Sequence, residues 1–145
     1  FPLIKKTLIM KILRGTLFGG IAYFFIGWLV YGVLLFNVFS PMTNPCANRP
    51  EGDMVWWAMI LSNLLIALFL TLFLKWSGTR GIVDGLKTGA LFGALFTSTI
   101  DLSFYSMTTM YNSLLPVVLE TVVSAAVMGV VGMVIVLTWG KSQEA

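Results

Sequence analysis

The chain has 145 residues, 58% of them hydrophobic and only 10% charged, and its net charge is +3. A soluble domain carries about 25% charged residues, and a water-facing core of this size cannot bury so much apolar surface, whereas a lipid bilayer supplies the apolar solvent directly. The sequence contains no histidine, which excludes a histidine-based catalytic triad, histidine-ligated zinc and haem or chlorophyll held by imidazole.

The chain opens on Phe instead of Met, which points to a start that is incomplete or processed. Residues Phe1–Leu13 mix Lys5, Lys6 and Lys11 with aliphatic side chains. They read as an amphipathic segment on the cytoplasmic surface, with the ammonium groups in the lipid phosphate layer. A membrane helix needs roughly 20 predominantly apolar residues, and four windows qualify: about 16–39, 56–74, 86–110 and 116–139. None shows the sustained alternation of a strand. The first is too long, and too poor in a following small-x-small site, to be a cleaved signal peptide. Pro41 and Pro45 follow it. Trp56 and Trp57 open the second window, Trp76 closes it, and Trp139 stands near the end of the fourth, as expected of indoles at the headgroup level. Pro116 suits the first turn of a helix, where a missing N–H costs nothing. The lone cysteine, Cys46, cannot form an intrachain disulfide and lies in Thr43-Asn44-Pro45-Cys46, which lacks the pattern of a lipoprotein site; no role is expected of it.

Charge sets the orientation. Lys5, Lys6, Lys11 and Arg14 precede the first span, Lys75, Arg80 and Lys87 flank the turn between the second and third, and Lys141 follows the fourth. Eight of the nine basic residues therefore share one side, and only Arg49, beside Glu51 and Asp53, lies on the other. By the positive-inside rule the basic side is cytoplasmic. The expected fold is all-α: a single domain over 1–145, an antiparallel bundle of four transmembrane helices with both termini inside.

Helices in lipid associate through small residues and buried hydrogen bonds. The third span carries Gly85, Gly89 and Gly93; the fourth carries Ala125 and Gly129, with Gly132 further on; the first carries Gly15 and Gly19. These faces serve either packing within one chain or docking on a second copy or another subunit. The short Asn112–Pro116 loop makes the third and fourth spans antiparallel neighbours. The longer loop from Ser40 to Val55 reads as an outer cap or contact surface.

An ionisable residue at membrane depth costs about 2.5–3.5 kcal/mol on insertion scales, and two are present. At ~1.5 Å per residue, Asp101 lies ~13 Å below the outer end of its span, Glu120 ~6 Å and Asn63 ~10 Å. Tyr31, Ser62, Ser106 and Thr109 fall at similar depths, and no Lys or Arg does. An unpaired carboxyl there is expected to be protonated at neutral pH, or to face a water-filled or cation-holding cavity. Asp101, Glu120 and Asn63 together are the expected polar pocket, open to the outside. The plainer readings stay open: Glu120 favoured by a helix N-terminus and reaching water, Asp101 clasping nearby hydroxyls, Asn63 bonding between helices. No catalytic, cofactor-binding or metal-ligating motif is visible, so neither an enzyme nor a cofactor is expected.

Gly20-Ile-Ala-Tyr-Phe-Phe-Ile-Gly27-Trp28, Gly89-Ala-Leu-Phe-Gly93, Thr99-Ile-Asp101-Leu102, and Leu115-Pro116 followed by Glu120 together resemble small bacterial four-helix integral membrane proteins classed as domains of unknown function. The resemblance covers most of the chain, and the glutamate departs from an expected aspartate in the fourth span. It implies topology and a bacterial inner membrane, with no chemistry attached. The first expectation for function is a non-catalytic accessory or structural subunit packed against membrane lipids and other membrane subunits or a second copy. The alternative is a transporter of a small solute, ion or proton that uses the intramembrane carboxylates as a dimer. A nucleic-acid partner is not expected.

Overall fold

The computed structural model describes residues 2–42 and 51–139. Cys46, Arg49, Lys141 and most of the loop expected as an outer cap lie outside them. The described residues form helices and turns with no strand: α1 (Pro2–Gly27), a π-helical segment (Trp28–Leu34), α2 (Phe36–Phe39), α3 (Trp56–Trp76), α4 (Ile82–Met107) and α5 (Leu115–Trp139). Three runs are long and apolar enough to cross a membrane: Lys6–Leu34, Trp56–Trp76 and Leu115–Trp139. Helix α4 is long enough at 26 residues. It falls short in apolarity because Asp84, Lys87, Asp101 and a run of Ser and Thr lie within it.

The outer surface is that of a membrane protein. Trp57 and Trp76, near opposite ends of α3, are 71% and 79% exposed. Nineteen residues of helix separate them, about 28 Å of rise, close to the ~30 Å of a bilayer's hydrocarbon core. Between them Ile60, Leu61, Leu65 and Phe69 face outward. In water such a continuous apolar surface would drive association.

Helix α1 runs unbroken through Arg14–Thr16, so residues 2–13 are not a separate element. The side chain of Lys11 already points inward, 1% exposed. The helix continues because Gly15 serves packing: a Cβ there would lie 2.8 Å from Thr71 and 3.0 Å from Ile135. Gly19 is likewise pressed on Ile135 and Ala67. Helix α3 ends where Gly78 takes φ +72°, a left-handed conformation that favours glycine. There the Thr79 N–H donates to the Leu74 carbonyl (3.1 Å) and the Gly78 N–H to that of Lys75 (3.2 Å). Asp84 accepts from the Arg80 N–H at 3.0 Å and places a negative charge at the start of α4.

Successive long helices alternate in direction, and α5 lies inside. Its Val127, Met128, Val131, Ile135, Val136 and Trp139 form the core with Leu70 and Leu74 of α3 and Phe92 of α4. The closest approach is α4 on α5. A Cβ on Gly93 would lie 2.6 Å from the Ser124 carbonyl oxygen, and one on Gly85 3.0 Å from that of Gly132. A Cβ on Gly89 would strike the Met128 carbonyl outright. The glycine stripe of α4 is thus occupied within the chain. Gly129 meets Leu86, while Ala125 is only half-buried, and Ser124 supplies the carbonyl facing Gly93. Helices α3 and α4 keep their backbones apart and meet through rings: Phe92 lies 5.2 Å from Phe69 and 5.4 Å from Phe73, centroid to centroid.

Candidate functional site

Helix α4 is rich in hydroxyls, and most of them turn back on its own backbone. Thr99 donates to the Leu95 carbonyl at 2.7 Å, Ser103 to Thr99 at 2.9 Å and Ser106 to Ser103 at 2.9 Å. Such bonds satisfy the hydroxyl locally and let it face an apolar medium. Thr97 differs. It faces α5 and shares a 2.6 Å hydrogen bond with Ser124.

One turn beyond Thr97, Asp101 is 5% exposed. Its Oδ1 accepts from the Tyr111 hydroxyl at 3.0 Å, and the same hydroxyl lies 3.3 Å from Glu120 Oε2. One phenol proton therefore serves two carboxyl groups. The reach follows from the turn: Tyr111 stands ten residues after Asp101 and nine before Glu120, and its ring folds back between the helices. The loop is held down by Asn112, whose N–H donates to the Met42 carbonyl (3.0 Å) and whose side-chain amide donates to that of Pro41 (2.9 Å). Burial first, then the neighbouring carboxyl groups, push the Tyr111 phenol above its ordinary range, so it keeps its proton and acts as the donor.

The second oxygen of Asp101, Oδ2, is buried with no hydrogen-bond partner. The residue itself helps to wall a cavity of about 180 Å³ bounded by Tyr23 of α1, Ile66 of α3, Phe92, Phe96, Thr97, Ile100 and Asp101 of α4, and Glu120, Ser124 and Met128 of α5. Tyr31 is also within electrostatic range of Glu120, Tyr23 and Asp101. It sits in the π-helical segment, where Leu35 N–H bonds to the Val30 carbonyl at 2.8 Å. The wider turn carries Tyr31 back toward the side of α1 occupied by Tyr23; such segments recur at functional sites.

Among the described residues basic side chains are remote: they lie toward the opposite end, and the nearest along α4, Lys87, is 14 residues from Asp101, about 21 Å. Two carboxylates this close, sharing one donor in a low-dielectric setting, cannot both hold a charge without a proton or a cation between them.

Of the expected pocket, Asp101 and Glu120 come together and Asn63 does not join them. The Asn63 amide donates to the Met59 carbonyl of its own helix at 2.7 Å. It faces α1 at a separate, apolar cavity of about 240 Å³ with Gly20, Phe24, Phe25 and Ile60; α3 contributes Ile66 to the carboxyl cavity instead. Ser62, Ser106 and Thr109 are exposed. Sequence reasoning missed Tyr111, although its place midway between the two acids in a short turn was a usable signal. Comparison with family models, curated proteins and solved structures gives no match for this chain.

Proposed function

We propose that this is a four-span membrane protein of the bacterial inner membrane that moves a proton or a small cation through the Asp101–Glu120 cavity. The reading rests on one observation: Asp101 and Glu120 line the same cavity, and Asp101 has its Oδ2 buried without a donor. A lone structural clasp has no use for an unsatisfied buried carboxylate oxygen, since such a group costs about 1–3 kcal/mol or more. A bound cation or a shared proton satisfies it. The cavity is assembled by four helices of one chain, so a second copy is not needed to complete it. The accessory-subunit reading drew on small size, glycine faces, aromatic richness and the lack of catalytic motifs, and of these the α4 glycine face packs on α5.

Proteoliposomes loaded with a pH-sensitive dye are expected to show cation-coupled proton flux that is lost in Asp101→Asn and in Glu120→Gln. Flux equal to that of empty vesicles would sink the proposal. A stoichiometric co-purifying subunit in its place would favour the accessory role.

In this arrangement α4 also crosses the bilayer, with its glycine face and Asp101 turned inward, and the basic ends of the helices lie in the cytoplasm. Ser77 and Ser113 are exposed and flank α4. In a Cys46→Ser background, Ser113→Cys is expected to react with a membrane-impermeant maleimide on intact cells, and Ser77→Cys only after permeabilisation. Labelling of both from one side would remove α4 from the membrane.

A further inference from the structure

The chemistry of the cavity wall is divided. At one end stand Asp101, Glu120 and the Tyr111 hydroxyl. The rest is apolar and aromatic, with Phe92 and Phe96 stacked face to face (5.5 Å between centroids, planes 10° apart), and Ile66 and Met128 beside them. An inorganic ion or a proton needs only the polar end. A ligand that uses both ends carries a positive charge on an apolar body.

Size narrows it further. The free space is about 180 Å³, and an apolar protein cavity of roughly 150 Å³ holds benzene. A single ring or a short branched alkyl group fits, and a multi-ring compound does not. The route is also visible. Phe96 and Ile100 are the exposed parts of the wall, at 39% and 40%, and Phe96 packs toward Phe69 of α3 at 6.0 Å. The cavity therefore opens sideways, beside Phe96 and Ile100 at the seam where rings of α3 and α4 meet, onto the apolar outer surface.

We propose that the cavity binds a small amphiphilic organic ammonium ion, which enters from the membrane between α3 and α4, sets its charge against Asp101 and Glu120 and lays its apolar body on Phe92 and Phe96. This deepens the transport reading above and rests on it. Aromatic faces attract such cations in addition to enclosing them, and Met128 adapts to varied shapes.

The probe is benzyltrimethylammonium, titrated calorimetrically into the full chain in mild detergent, against neopentylbenzene as its neutral counterpart and sodium chloride as an inorganic control. Saturable one-to-one binding of the cation is expected, with no comparable binding of the neutral compound. Affinity should fall as the pH is lowered, because protons compete for the same oxygens. Asp101→Asn and Glu120→Gln should abolish binding. Phe92→Leu should weaken it on the order of tenfold; if that variant does not fold, Phe96→Leu at the exposed rim tests the same wall. Equal binding of the neutral compound would overturn the inference, leaving only an apolar cavity. Absence of ammonium binding while carboxyl-dependent proton flux persists would overturn it too, with the transport reading intact. Absence of both would remove the two together.

Discussion

Gly89→Leu is expected to pull α4 off α5 and to lower thermal stability in detergent strongly. A Cβ alone would collide with the Met128 carbonyl and come within 3.2 Å of the Gly129 Cα. Backbone atoms cannot swing aside as a side chain tip can. The helices would have to separate along their length, opening the contacts of Gly85 and Gly93 as well. Overpacking usually costs about 1–3 kcal/mol, and a clash against a helix backbone belongs at or above the top of that range. Gly27 provides the control. Its added Cβ meets nothing within 4 Å and its φ of −62° suits any residue, so Gly27→Ala should be neutral or stabilise slightly through helix propensity. The experiment also decides what the α4 stripe is for. Were it a docking face for a second copy, Gly89→Leu would change the oligomeric state and leave the melting temperature of the monomer where it was.

The same residues mark where sequence reasoning carries and where it stops. Apolar runs in 16–39, 56–74 and 116–139 announce helices because lipid demands length and apolarity together, and both are countable. Depth is countable too, so Asp101 and Glu120, measured from one shared turn, fall in the same half of the membrane. Rotation about the helix axis is not fixed by depth. Asn63 lies at a suitable level but faces α1, and Ile66, three residues later, takes the place at the cavity. Glycine spacing has the same limit: Gly85, Gly89 and Gly93 declare a close approach without naming the surface approached. Ala125 and Gly129 have the spacing of an interface pair, but the carbonyls that meet the stripe belong to Ser124, Met128 and Gly132. The join of the first 13 residues to the first span was hidden because the basic residues up to Arg14 put the start of the apolar window at Thr16, whereas the helix runs through Gly15, which seats Thr71 and Ile135. The π-helical turn at Trp28–Leu34 has no composition of its own, so nothing in the sequence forecasts that Tyr31 turns toward Glu120.

Tyr111→Phe is expected to unsettle the site while leaving its shape almost unchanged. The phenol is the donor shown to both Asp101 Oδ1 and Glu120 Oε2, and phenylalanine keeps the ring and removes the proton. Asp101 is then left with both oxygens buried and no side-chain donor, because Oδ2 has none already. An orphaned buried polar group costs about 1–3 kcal/mol, more when charged, so near neutral pH the variant should unfold at a clearly lower temperature than the parent. The deficit should shrink on acidification. A second proton gives the pair a further donor of its own to replace the lost phenol, so the fully protonated pair needs Tyr111 less than the singly charged pair does. A saturating cation in the cavity should shrink the deficit for the same reason, by binding the oxygens that the phenol no longer reaches. In an Asp101→Asn, Glu120→Gln background the amides supply their own donors, and Tyr111→Phe should then cost far less than in the parent; the difference between the two measures the coupling. A deficit independent of pH, of cation and of this background would mean that Tyr111 merely packs the turn between α4 and α5 and that the carboxyl pair does not depend on its proton.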